Sequence, residues 1–188
     1  EAQIKAVAAQ RQSHPALRVW CWPQETEPVE RLARLTGLPI RLRSVAEGES
    51  TARVTSAGLA AGLPEGTIGV KADGPQALPR FTVDSATPDE TWAVYANGDP
   101  AVVVRGGDAF VGVPELSAGL IRALAERAGV HLYLPRAEAS RAGLWAAEDV
   151  VSIQSHEPGT YHVTFPSGET RTLELGKGET RLIRERGK

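Results

Sequence analysis

Methionine is absent from the 188 residues and cysteine occurs once. A chain without methionine that begins at Glu1, a side chain too large for ordinary removal of an initiator, reads as a part cut from a longer polypeptide, and what lay upstream would hold the activity. A lone cysteine cannot form an internal disulfide, so Cys21 excludes a disulfide framework and a cysteine-rich metal site. It leaves the compartment open, with the cytoplasm slightly favoured. No apolar run approaches the roughly 20 residues that cross a bilayer, so no membrane segment is expected, and Glu1 to Lys5 has none of the features of a signal peptide. Charge of either sign is also without excess: 21 Lys and Arg against 23 Asp and Glu leave a net charge of −2, and no basic cluster is dense enough to hold a phosphate backbone. Nucleic acid is excluded as a partner on that ground. There is no internal repeat and no low-complexity tract.

What is present is the composition of an ordinary globular protein, 41% hydrophobic and 23% charged, with enough chain for one sizeable core or a core and a small appendage. The run Phe110-Val-Gly-Val-Pro114, then Glu115 to Ala128, then Gly129-Val-His-Leu-Tyr-Leu134 predicts strand, helix and strand. Pro114 suits a first helical turn, Glu115 its dipole, and Leu116, Leu120 and Leu124 recur at four-residue spacing before Gly129 ends the helix. A second unit of the same kind is predicted from residues 17 to 43: a strand Arg18-Val-Trp-Cys-Trp22, a helix from Pro28 to Thr36 burying Val29, Leu32 and Ala33, a stop at Gly37, and a strand Pro39-Ile-Arg-Leu-Arg43. Two such crossovers imply parallel strands with helices laid over them. Residues 4 to 12 have helical composition, ended by Ser13-His-Pro15. Between Ser44 and Thr91, glycine and proline favour short strands and turns. Phe81 to Val83 and Trp92 to Tyr95 are expected as strands, and Asn97-Gly98 as a type I′ turn leading to Ala101-Val-Val-Val-Arg105 at an antiparallel edge of the sheet. Arg136 to Ala147 reads as a short helix or linker. Beyond it the periodicity changes to two, and 149 to 154, 160 to 165, 169 to 175 and 180 to 183 predict an antiparallel meander.

The pieces Arg18-Val-Trp-Cys-Trp-Pro23, Leu35-Thr-Gly-Leu38, Tyr95-Ala-Asn-Gly-Asp-Pro-Ala-Val-Val-Val104, Val111-Gly-Val-Pro-Glu-Leu116 and Ala128-Gly-Val-His-Leu-Tyr133 occur in a meaningful order. Together the chain resembles the glutamine-amidotransferase-like domain, often called the trimerisation domain, of β-galactosidase-type glycoside hydrolases, followed by a small C-terminal β-domain. The resemblance implies an α/β, flavodoxin-like three-layer fold over residues 1–147 and an antiparallel β-domain over 148–188. It further implies a non-catalytic accessory and oligomerisation role, with an upstream glycoside hydrolase domain, further copies of the chain and the parent's carbohydrate substrate as partners.

The residues themselves offer few sites. A working amidotransferase needs a cysteine on a sharp strand-to-helix turn with a histidine to deprotonate it, whereas Cys21 stands between two tryptophans in a predicted strand and is expected as a small buried side chain. His131 is expected to bond a neighbouring carbonyl. His156 and His162 have no cysteine or carboxylate at ligand spacing, so no metal is indicated, and no cofactor either. Trp20 and Trp22 project to one side of their strand and are expected to pack in a core or interface, with sugar stacking as the other possibility. Glu25, Glu27 and Glu30 answer a helix dipole more simply than they form a catalytic pair. Gly106-Gly107 is a turn, lacking phosphate-loop spacing. Two alternatives stand beside the accessory role: a cysteine-dependent amidotransferase-like enzyme using Cys21, and a carbohydrate-binding module using Trp20 and Trp22.

Overall fold

A computed structural model describes residues 5–7, 9, 17–21, 28–43, 50–69 and 81–185. It divides into two units, Glu1–Ala128 and Gly129–Lys188. Lys5, Ala6, Val7 and Ala9 are helical, while the stop at Ser13-His-Pro15 lies outside the described residues.

The first unit is built on the most apolar stretch of the chain. Ala101 to Val104 are each at most 6% exposed, and they form the middle of β7 (Pro100–Arg105). A turn at Gly106-Gly107 returns the chain as β8 (Asp108–Val111), antiparallel to β7 with Val103 opposite Phe110 and Val102 opposite Val111. Gly106 takes φ 58°, a left-handed conformation that favours glycine, and the Arg18 guanidinium packs close to Gly107, 3.0 Å from where a Cβ would stand. The remaining strands are β1 (Arg18–Cys21), β2 (Ile40–Leu42), β3 (Ala52–Val54), β4 (Thr67–Ile68), β5 (Phe81–Val83) and β6 (Thr91–Val94), with helices α1 (Val29–Thr36), α2 (Ser56–Ala60) and α3 (Ala118–Arg127). Six strands form a curled sheet in the order β1-β8-β7-β6-β3-β4, in which β1 and β8 are parallel and the other pairs antiparallel. One face buries Val102, Val104, Ala109 and Val111 against Leu120, Ala123 and Leu124 of α3. The other buries Val103 and Phe110 against Leu32 of α1 and against Ile40, Phe81 and Val83 of a separate β2–β5 ribbon.

This architecture corrects the flavodoxin-like three-layer expectation. Among the described residues strand outweighs helix, 39% against 21%, and the sheet is antiparallel apart from one pair. Neither predicted crossover closes. In residues 17 to 43 the helix forms as expected, with Leu32 buried and Gly37 at φ 64° donating to the Ala33 carbonyl at 2.8 Å. The strand after it, however, leaves β1 and pairs antiparallel with β5, some 40 residues onward in sequence. In the second, α3 begins only after Ser117, whose Oγ accepts from the Leu120 N–H, so Pro114 and Glu115 precede the helix. Gly129 ends it at φ 73°, but Val130 to Leu134 form no strand. The β6–β7 hairpin forms, yet at the interior of the sheet and not at its edge. Its turn is not type I′: Gly98 alone takes positive φ, with Gly98 N–H bonded to Tyr95 O and Tyr95 N–H to Asp99 O, a three-residue loop with a bulge.

The second unit contains α4 (Arg136–Ala139), β9 (Ala142–Ala147), β10 (Val150–Ser155), β11 (Gly159–Thr164), β12 (Thr170–Leu175) and β13 (Thr180–Arg184). The strands predicted after Asp149 are all present, and Ala142 to Ala147, read as helix or linker, adds another. They do not form a simple meander. β9 and β13 flank β10 in one sheet, while β11 and β12 pair as a second. Alternation turns Val151 and Ile153 of β10 and Tyr161 and Val163 of β11 into a shared core with Leu134, Phe165 and Leu175. The buried Tyr161 hydroxyl donates to the carbonyls of Arg141 and Glu157, which satisfies its polar end. No helix of the described residues is long and apolar enough to cross a membrane.

Two predictions follow from contacts in the first unit. A Cβ on Gly58 would lie 2.2 Å from the Trp92 carbonyl oxygen, so Gly58→Ala should lower stability by about 3 kcal/mol. Gly98→Ala, which meets nothing within 4 Å but keeps φ 86°, should cost only about 1 kcal/mol. Urea unfolding of both variants checks the difference. Glu90 accepts from Arg105 Nε and Nη2 at 2.9 and 2.8 Å and from the Thr87 N–H at 3.0 Å, and these bonds lower its pKa from 4.5 to about 2. A carboxyl whose folded pKa is depressed contributes in full above its unfolded pKa. The stability gap between wild type and Glu90→Gln should therefore hold above pH 4.5 and close as the pH falls to about 2.

Candidate functional site

Of the residues singled out by sequence, Trp20 and Cys21 lie side by side on β1, the terminal strand of the six-stranded sheet among the described strands. Strand β1 pairs only with β8 among the described strands, so its side chains alternate between the apolar interior and solvent. Trp20 faces inward, packed against the Phe110 cluster, and its indole Nε1 donates to Asp108 Oδ1 at 2.9 Å. Arg18 grips the same carboxylate with two bonds of 2.9 Å, from Nε to Oδ1 and from Nη2 to Oδ2. These bonds raise the Arg18 pKa, so the guanidinium stays charged at any pH the fold survives. Asp108 carries no sequence signal as a site residue. Only the parallel register, which sets Arg18 opposite Asp108 and Trp20 opposite Phe110, brings the three together.

Beside Trp20 opens a cleft of about 200 Å³ between β1 and α1, lined by Cys21, Leu32, Leu35, Thr36 and Ile40 among others. Cys21 is exposed, not buried, because β1 is an edge strand with Cys21 on its outward side. Desolvation by the apolar surroundings nevertheless pushes its thiol pKa up. Among the described residues, those lining the cleft include no imidazole or carboxylate. Trp22, Glu25 and Glu27 lie outside the described residues, and Glu30 sits in the first turn of α1.

A second polar cluster gathers at the β6–β7 turn. The Arg43 guanidinium lies 3.6 Å over the Tyr95 ring, and Asp99 accepts from Arg41 Nη2 at 2.5 Å and Asn97 Nδ2 at 2.8 Å. Burial pushes Asp99 upward, but the bonds from Arg41 and Asn97 and the charges of Arg41 and Arg43 outweigh it and leave the carboxyl below its usual range. The buried Tyr95 hydroxyl has its pKa raised, chiefly by desolvation, and cannot serve as a base.

Two of the histidines are occupied locally. His131, expected on a strand to bond a neighbouring carbonyl or line an edge, lies in a loop with Nε2 2.7 Å from the Thr164 carbonyl. His162 Nδ1 is 2.7 Å from Glu138 Oε1. Among the described residues no group of three or more His, Cys, Asp or Glu side chains could hold a metal ion. Trp145, in the stretch read as helix or linker, stands exposed on β9. Its strand, Ala-Gly-Leu-Trp-Ala-Ala, does not alternate polar and apolar residues, so periodicity carries no strand signal there.

The fold, a curled mixed sheet with a small two-sheet unit after it, has a counterpart among solved structures. It is similar to the β-galactosidase of the psychrophilic Marinomonas ef1, with a TM-score of 0.55 and 14% identity over 95% of this chain. The chain spans 27% of that structure's chain. No family model matches the sequence, and no curated protein matches it.

The raised thiol pKa gives a direct test of Cys21. At pH 8 its reaction with Ellman's reagent should run several-fold slower than that of a free thiol with pKa about 8.5, and should keep accelerating above that pH.

Proposed function

We propose that this chain is a non-catalytic accessory region of a β-galactosidase-type glycoside hydrolase, whose hydrolytic domain lies on another part of a longer polypeptide. One observation carries the reading: the likeness to a β-galactosidase takes in 95% of this chain but only 27% of that one, the proportions of a domain within a multidomain enzyme. The chemistry of the cleft is consistent with it. The described residues that line it are mostly apolar, and the Cys21 thiol among them has an upward-shifted pKa. On this reading the unit 1 sheet and the small unit 2 serve assembly. Their partners are the hydrolytic domain and further copies of the chain, and the parent acts on β-linked galactosides.

Two measurements on the native gene product test this. Its intact mass should be several times that of the 188-residue chain, and it should hydrolyse p-nitrophenyl β-galactoside, while the 188-residue chain should not. Deleting the segment should lower the assembly state in sedimentation. A native product of about this length, or a parent whose assembly and hydrolysis are indifferent to the deletion, overturns the proposal.

A further inference from the structure

The outer face of the β13-β10-β9 sheet carries two large apolar side chains in the open, Trp145 at 62% and Leu182 at 70% exposure. Both stand opposite Ser152, so a small hydroxyl separates the indole from the leucine across three strands. In the adjoining row Gln154 is flanked by Gly143 and Thr180. Gly143 decides how the indole lies. A Cβ there would come 3.0 Å from Trp145 Cη2, 3.3 Å from Cζ3 and 3.6 Å from His156 Nε2. The six-membered ring of the indole and the exposed His156 imidazole thus converge over a residue with no side chain, next to the Gln154 amide.

We propose that this face binds a neutral oligosaccharide. One pyranose ring would lay its C–H face on Trp145, with its hydroxyls bonding Gln154 and His156. The chemistry is that of a polyol site: one broad apolar surface and a few groups that both donate and accept. Charge argues for a neutral ligand, since among the residues whose register places them on this face Arg184, at one corner, is alone in being charged. A protein partner fits less well. A standard interface takes about 20 to 30 residues a side around a dry, apolar centre, whereas three short strands end here with Ser152 and Gln154 in the middle. The site is independent of the accessory role proposed above, because it needs only the 188-residue chain.

The test is calorimetric titration of the whole chain with β-1,4-galactotetraose and, separately, cellotetraose, paired with fluorine NMR of 5-fluorotryptophan-labelled protein. Saturable binding of at least one sugar with Kd on the order of 1 mM is expected, with a shift of the resonance that Trp145→Phe removes. Trp145→Ala should weaken binding about tenfold or more, and Gln154→Ala several-fold, each with an unchanged urea midpoint. No movement of that resonance with either sugar at about 20 mM overturns the proposal. So does equal binding by Trp145→Ala, or a resonance that shifts with protein concentration in step with a dimer that Trp145→Ala dissolves.

Discussion

Burial of both faces of the β7–β8 hairpin is the constraint on which the first unit depends. Val102, Val104, Ala109 and Val111 point to the α3 side, and Val103 and Phe110 to the side of α1 and the β2–β5 ribbon, so two separate cores share one wall. A strand buried on both sides cannot alternate polar and apolar residues, which is why this stretch is nearly continuous in valine and alanine. It also cannot tolerate slippage. A one-residue shift in register would exchange the two faces and disrupt both cores at once. The glycine turn between the strands and the Arg18–Asp108 pair at its mouth hold that register in place.

The same wall explains why the visible candidates for chemistry lie at the rim. A cleft opens where β1 runs along the end of the sheet; the described residues that line it are mostly apolar, and desolvation pushes the Cys21 thiol pKa up. Charged groups elsewhere are absorbed in local pairs, such as Glu90 with Arg105 and Asp99 with Arg41. The second unit follows a different rule: its two sheets share a single core, so each presents only one face to it.

Much of the local structure was legible. The helix over Val29–Thr36 and its Gly37 stop followed from periodicity and a left-handed cap, and the strands after Asp149 from strict alternation. Pairing was not legible. Ile40 to Leu42 looks the same in sequence whether it lies parallel to β1 or antiparallel to β5, and Gly129 to Leu134, rich in β-formers, gave no sign that Tyr133 and Leu134 would enter the core of the second unit while forming no ladder. The candidate site was half visible. Trp20 and Cys21 were identifiable by type, but Asp108, 88 residues from Trp20, became their companion only through the parallel register of β1 and β8. Trp145 was hidden because Ala142 to Ala147 has a composition that serves a helix as well as a strand.

The sequence by itself determined the local terms: where glycine and proline break the chain, which residues alternate and which helix has an apolar stripe. These are set within a few residues by sterics, capping and hydrophobic period. The tertiary structure alone decided the class of the fold, the exposure of Cys21 and the grouping of Trp145 with Ser152, Gln154 and Leu182. Strand order and direction are settled by burial between segments far apart in the chain, and that energy has no signature in any short stretch of sequence.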